Sequence, residues 1–251
     1  MLNSKEILKY KKNGFIKISK ILDKKTLLKI EEEKDVYLKK ILNKKGLKRK
    51  LAKKFNFLKN PKKPSSLHRL FNKNNSYFNK VAKNPIFSII GKDLMGKETK
   101  VYEIQFFFKR SNENIPTPMH QDNAYWNGIR GKGLSFWIAL NDTNKKNGCL
   151  YYLKGSHKKN YKHEISTIPG SSKVIKKNLG FKKHFYDLKK GDCVVHDHKT
   201  IHGSFKNTLK KDRSAFIISF VTKNFQINKK KKLAYELKLK QVNIVRERKI
   251  I

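Results

Sequence analysis

At 251 residues the chain can bury one sizeable core unaided, and its two cysteines, Cys149 and Cys193, exclude a disulfide framework. No apolar run of about eighteen residues is present to span a bilayer, and Met1 to Glu6 lack the features of a signal peptide, so a reduced, cytoplasmic setting is expected. The 61 Lys and Arg against 19 Asp and Glu give a formal net charge of +42, yet only seven of the basic residues are Arg, the residue suited to bidentate phosphate recognition. Lysines spread from Lys5 to Lys249 among abundant Asn and Ile match the drift of an AT-rich genome. They predict weak, salt-sensitive adhesion to polyanions rather than a dedicated nucleic-acid face.

Ser4 is placed to cap a first helix that ends at Gly14, where glycine tolerates a left-handed turn. Ile16 and Ile18 alternate with Lys17 and Ser19, the period of a short strand. Asp23 caps a second helix carrying Leu27, Leu28, Ile30, Leu38, Ile41 and Leu42. Lys44 to Lys63 is basic and punctuated by Gly and Pro, hence a loop. Helical pieces are expected over Ser66–Ala82 and after Pro85, a residue suited to a first helical turn. From Lys100 the texture changes to short runs rich in β-branched and aromatic residues: Val101–Phe108, Leu134–Leu140, Gly148–Leu153, Asp192–Val195 and Ala215–Val221. Asn147-Gly148 and Lys190-Gly191-Asp192 mark turns between them. Strands in series predict a β-sandwich or barrel with helices supplied by the N-terminal part. Residues 1–225 are thus expected to form one domain, helical to about residue 99 and β from about 100. Residues 226–251 make a basic tail, either an exposed helix or a mobile segment.

His120-Gln121-Asp122 is an H-x-D triplet. In an extended segment residues two apart point to the same side, so the imidazole and the carboxylate can grip one ion. His202 is the best candidate for a third donor. Two histidines and a carboxylate on one face leave adjacent positions of a six-coordinate Fe(II) open. His196 and His198 compete with it, because either can face the same interior. His202 is preferred for its Gly203-Ser204 sequel and for Arg213, eleven residues on. A strand returning after a polar turn would set the Arg213 guanidinium beside the His202 strand, to clamp a dicarboxylate with paired charge-assisted bonds. Ser204 can add a hydroxyl. The plainer alternatives are an ordinary H-x-D pairing and a strand-edge arginine. Asn123, Tyr125 and Trp126 follow the triplet and are expected at the pocket mouth with residues from His163 to Gly170, holding substrate or simply closing the barrel end. His157 reads as structural; His68 and His184 carry no signal.

The ordered set resembles the phytanoyl-CoA dioxygenase family, which includes the ectoine hydroxylases. The matching pieces are Asn13-Gly14-Phe15-Ile16, His120-Gln121-Asp122 with Tyr125-Trp126, Trp137, Asn147-Gly148-Cys149-Leu150, Gly155-Ser156-His157-Lys158, Gly191-Asp192, and His202-Gly203-Ser204 with Asn207 and Arg213. The resemblance implies a mainly β fold, a double-stranded β-helix (a cupin-like jelly roll) with helices packed outside. It implies iron ligands at His120, Asp122 and His202, and 2-oxoglutarate anchors at Arg213 and Ser204. Trp137 and Gln105 would line the co-substrate pocket, although Trp137 is equally well read as core. The implied reaction consumes O2 and 2-oxoglutarate at Fe(II), releases succinate and CO2, and hydroxylates a small molecule, with ascorbate as supporting reductant. Asp122 favours hydroxylation over halogenation, since a small residue there would leave room for a halide. Whether the substrate is a free metabolite or an acyl-CoA stays open, as does oligomeric state. The rival reading is a basic jelly-roll module that binds polyanions without oxygenase activity.

Overall fold

A computed structural model of the chain describes residues 2–43, 66–68, 70, 76–111, 115–166, 172–175 and 179–248. The first helix, α1 (Ser4–Asn13), is capped by Asn3 rather than Ser4. Asn3 Oδ1 accepts from Glu6 N at 2.9 Å and Glu6 Oε2 accepts from Asn3 N at 2.8 Å. This reciprocal box satisfies two otherwise orphaned donors, which a cap one residue later could not do. Gly14, at φ +87°, ends the helix with its N–H on the Tyr10 carbonyl. Next come β1 (Phe15–Ile18) and α2 (Lys24–Leu42), the latter capped by Asp23, whose Oδ1 takes the Thr26 N–H at 2.7 Å.

The expected loop at Lys44–Lys63 lies outside the described residues. The expected helical stretch over Ser66–Ala82 is corrected. Ser66–Leu67 is a strand (β2) paired with Phe106–Phe107, and the described helix, α3, covers only Tyr77–Ala82. An edge strand selected by a distant partner leaves no local periodicity to read. Helix α4 (Pro85–Met95) begins at Pro85 as expected.

The β part contains β3 (Thr99–Lys109), β4 (Thr117–His120), β5 (Gly128–Arg130), β6 (Gly133–Ala139) and β7 (Leu150–Leu153), with a short helix, α5 (Asn123–Trp126), after β4. It continues with β8 (His163–Ile165), β9 (Ser172–Val174), β10 (Lys183–Phe185), β11 (Cys193–Asp197), β12 (His202–Ser204), β13 (Arg213–Thr222) and β14 (Gln226–Ile227). The Lys-rich C-terminal segment forms α6 (Lys229–Arg248).

Six strands pair in the order β1-β11-β6-β13-β3-β2 and four in the order β10-β7-β12-β4. These two antiparallel sheets face each other as a jelly roll. Side chains alternate across a strand, so the two faces of the large sheet serve different cores. Phe136, Phe216, Phe220, Phe106 and Ile104 turn outward onto the helices, meeting Phe78, Phe87, Ile30 and Tyr10. Phe87 meets Phe136 edge-on at 5.0 Å between centroids, a favoured aromatic geometry. Trp137, Ala139, Val194, Ala215 and Ile217 turn inward against Phe15, Tyr152 and Leu188. Burial of every residue in β13 follows from this double coverage. No described helix is long and apolar enough to cross a membrane.

Candidate metal centre and co-substrate pocket

Cross-strand registers set the site in rows. In the small sheet His202 sits opposite His120 on one side and Tyr152 on the other. In the large sheet His196, Ser135 and Ser219 are aligned. These two polar rows face each other, with Asp122 between them. One row further along, Val194, Trp137, Ile217 and Gln105 are aligned. Ala139 and Ala215 follow, and Arg213 closes the far end of the same face of β13.

His120, Asp122 and His202 offer donor atoms that all lie within 4.8 Å of one another, and no other such set occurs among the described residues. The segment holding the triplet is not extended throughout. His120 ends β4, whereas Asp122 has φ −57° and ψ −32° and opens α5. The helical turn, not strand alternation, brings the carboxylate round to the imidazole. Gln121 points the other way, its amide donating to the carbonyls of Lys159 and Lys199 and accepting from Tyr161 N. An outer cleft of about 370 Å³, lined by Gln121, Asn123, Asn160 and His163 among others, contains none of the three donors.

Proton placement tests the fit to a cation. His120 Nδ1 lies 2.8 Å from the Pro118 carbonyl and His202 Nδ1 lies 3.0 Å from the Thr200 carbonyl. A carbonyl can only accept, so each Nδ1 carries the proton. Burial disfavours the charged ring and lowers both pKa values, that of His202 strongly. Each Nε2 is therefore a bare lone pair, and these face Asp122 Oδ1 at 3.8 and 3.6 Å. Burial alone would raise the Asp122 pKa, but the neighbouring histidines, with the hydrogen bond from His196, outweigh it and lower the value. Two lone pairs aimed at one carboxylate oxygen repel unless a cation lies among them. The donor set fits a hard or borderline divalent metal, with backbone carbonyls fixing the ring orientations.

At the other end Arg213 is buried, its guanidinium 5.1 Å from the Trp137 ring centroid and its Nη2 donating to the Gly148 carbonyl at 2.6 Å. The expectation that it sits beside the His202 strand is corrected. Strand β13 belongs to the large sheet and β12 to the small one, so Arg213 faces that strand across the interior. The intervening polar turn crosses between sheets, which sequence spacing alone does not reveal. Ser204 is buried on β12, with its hydroxyl donating to Thr117 Oγ1 at 2.8 Å. Gln105 lies on the same row as Trp137.

Of the three residues expected at the mouth, Tyr125 touches a triad side chain, its ring edge-on to His120 at 5.5 Å. Its hydroxyl accepts from Ser172 N, and Tyr235 of α6 packs against it at 5.9 Å. Trp126 stacks on His198 at 5.6 Å and meets Tyr102 at 4.8 Å, so it packs into the body of the protein. The Asn123 amide holds the turn to Gly128 through two hydrogen bonds. Ser135, Ser219 and Tyr152 join the site without having been singled out by the sequence. Their signal is a polar atom on the inward phase of an otherwise apolar strand.

The fold is that of the Fe/2-oxoglutarate-dependent oxygenases. EvdO2 from Micromonospora carbonacea var. aurantiaca, solved with 2-oxoglutarate, superposes with a TM-score of 0.70 at 17% identity, covering 91% of this chain and 94% of that one. The non-heme monooxygenase ThoJ gives 0.72 at 19% identity, covering 88% and 78%. The epimerase SnoN, solved with Fe3+, alpha ketoglutarate and nogalamycin RO, gives 0.68 at 17% identity, covering 89% and 85%. At such identities the likeness is one of fold. The chain belongs to the phytanoyl-CoA dioxygenase (PhyH) family, whose model matches residues 10–215. Phytanoyl-CoA dioxygenase domain-containing protein 1 of Danio rerio is 25% identical over 169 residues, 63% of this chain and 57% of the relative. Phytanoyl-CoA dioxygenase 1 of Oryza sativa subsp. japonica is 29% identical over 133 residues, 50% and 46% respectively. The chain spans about half the length of the curated relatives it matches.

Proposed function

We propose that this chain is an Fe(II)- and 2-oxoglutarate-dependent dioxygenase that hydroxylates a small-molecule substrate and releases succinate and CO2. The observation that carries the reading is the pair of bare Nε2 atoms facing Asp122 Oδ1, with a buried arginine at the far end of the same interior. His120, Asp122 and His202 would hold the metal. Bound Fe(II) supplies the activation of O2 that couples decarboxylation of 2-oxoglutarate to oxidation of the substrate.

The remaining work falls to side chains. Arg213 offers a planar, permanently charged fork to the distal carboxylate, and the Trp137 face beneath it fixes the plane of that fork. Ser204 adds a hydroxyl that can turn from Thr117 to the same carboxylate. Trp137, Ile217, Val194 and Ala215 make the space between anchor and metal apolar, which excludes water and strengthens both charged contacts. Gln105 gives that wall one polar group. Tyr125 holds His120 edge-on and forms the substrate-side wall with Tyr235, so substrate contact is assigned to Tyr125 rather than to Trp126 or Asn123. Residues 1–225 would act as one catalytic domain, O2 as second co-substrate and ascorbate as a supporting reductant.

The test is succinate formation by purified protein supplied with Fe(II), ascorbate, O2 and 2-oxoglutarate. Slow uncoupled turnover is expected, abolished in His120→Ala and Asp122→Ala. A wild type that neither binds nor turns over 2-oxoglutarate would sink the reading and favour a polyanion-binding module.

A further inference from the structure

Three histidines surround Asp122, and their ring centroids are nearly equally spaced. The ring centroid of His202 lies 4.3 Å from that of His120 and 4.5 Å from that of His196. The protons sort them. His196 Nε2 lies 3.2 Å from Asp122 Oδ2. An ionised carboxylate only accepts, so this Nε2 carries the proton. Its other ring nitrogen, Nδ1, lies 3.5 Å from the Tyr152 hydroxyl. Tyr152 is itself fixed, fully buried and stacked on Phe15 at 4.7 Å.

We infer that His196 is a positioning residue for the metal centre, holding Asp122 Oδ2 so that only Oδ1 is presented to the ion. The inference rests on the metal-site reading above. Ser135 Oγ donates to the same Oδ2 at 3.0 Å and is backed by Ser219 Oγ at 3.0 Å. Oδ2 therefore has two donors on the large-sheet side, while Oδ1 faces His120 and His202. A carboxylate held in this way binds a metal through one oxygen. The second oxygen would then take no place on the ion, leaving room there for co-substrate or O2. His196 cannot serve as a fourth ligand through Nε2 without giving up its bond to Asp122. The contact with Asp122 Oδ2 by itself sets Nε2 as the nitrogen that carries a proton towards the carboxylate. This is the inverse of the arrangement that the backbone carbonyls impose on His120 and His202.

Co(II) serves as the probe, titrated calorimetrically into metal-free protein, with the visible absorption of the loaded protein reporting coordination number. His196→Leu keeps comparable bulk but has no donor, whereas His196→Gln places an N–H at similar reach. His196→Leu is expected to weaken Co(II) binding about 10- to 100-fold and to change the visible band as Oδ2 is freed to coordinate. His196→Gln should recover most of the affinity and the wild-type band. Thermal melts of the metal-free variants check folding. If His196→Leu does not fold, His196→Asn, whose amide falls short of Oδ2, makes the same comparison against His196→Gln. Wild-type affinity and spectrum in the donor-less variant would overturn the inference. So would an equal loss in His196→Gln, which would make His196 itself a ligand. Failure of the wild type to take up Co(II) is a separate result, and it would bring down the metal-site reading and this inference together.

Discussion

Arg213 is a charge kept out of water, and so its chemistry can be tested with conservative changes. Its guanidinium lies over Trp137 and donates to the Gly148 carbonyl. Arg213→Lys keeps the charge but loses the fork and the stacked plane. The loss of one charge-assisted bond, about 1.5–3 kcal/mol, should weaken 2-oxoglutarate binding roughly 10-fold or more, and Arg213→Ala should weaken it further. Titration of 2-oxoglutarate into protein loaded with a redox-inert metal measures this, and unchanged affinity in both variants would rule out Arg213 as the anchor. At this scale the sequence is informative where spacing carries the chemistry: His120 and Asp122 two apart, Arg213 eleven beyond His202. It is silent where a distant partner decides. His196 and His202 differ by which nitrogen donates, and that is set by Asp122 for one and by the Thr200 carbonyl for the other. Trp126 leaves the pocket mouth for a related reason, because its stacking partner, His198, lies seventy-two residues away.

Elements meet at two junctions that hold the catalytic strands. Gly14 turns the chain from α1 into β1 at φ +87°, and a Cβ there would come 2.5 Å from Thr200 Oγ1 and 2.6 Å from His157 Nδ1. Its carbonyl also accepts from Thr200 Oγ1 at 2.7 Å and from Asp197 N at 2.8 Å. Gly14→Ala combines left-handed strain with overpacking and should cost about 2–4 kcal/mol in urea unfolding. It should also disturb the loop leading to His202. Asp192 ties the start of β11 to β1 through Lys17 Nζ at 2.8 Å, and it accepts from Lys189 N at 3.1 Å and Lys20 N at 3.2 Å. Burial would raise its pKa, but the Lys17 contact and the two N–H donors outweigh burial and lower it. A carboxylate with a depressed folded pKa contributes its full stability above the unfolded value of about 3.9, and the contribution is lost as pH falls through the folded value. Asp192→Asn should therefore be less stable by about 1–3 kcal/mol near neutrality, with the gap to wild type closing on acidification. A gap that does not change with pH would contradict this assignment. The helix cap at Asp23, the stop at Gly14 and the strand runs after Lys100 are legible because their signals are local. β2 and the crossing of β13 into the other sheet are not, because pairing partners select them.

On the scale of the whole molecule, charge outweighs every other influence outside the core. A formal net charge of +42 on 251 residues repels itself in the compact state. Pairs such as Lys29 with Glu32 and Glu33, Lys92 with Glu98 and Lys189 with Asp142 offset little of it, since exposed pairs contribute weakly. Acidic residues are also too few to pair with most of the lysines. The fold tolerates this because its cohesion comes mainly from two large apolar cores, one beneath the helices and one between the sheets, with a smaller cluster around Leu153, Val174 and Ile201, and none of them depends on surface charge. Screening should then help folding rather than harm it. As sodium chloride rises from about 0.1 M to about 1 M, the Debye length falls from about 10 Å to about 3 Å and the repulsion among lysines fades. The midpoint of thermal unfolding should climb by several degrees over that range, with about 2–4 °C for each 1 kcal/mol gained in a chain of this size. The same salt should strip the protein from any polyanion, DNA and heparin alike, because only counterion release holds it there. A midpoint that falls with salt would mean that attractive charge networks, rather than the two cores, set the stability. Retention on one nucleic acid at high salt would mean that the lysines form a specific face.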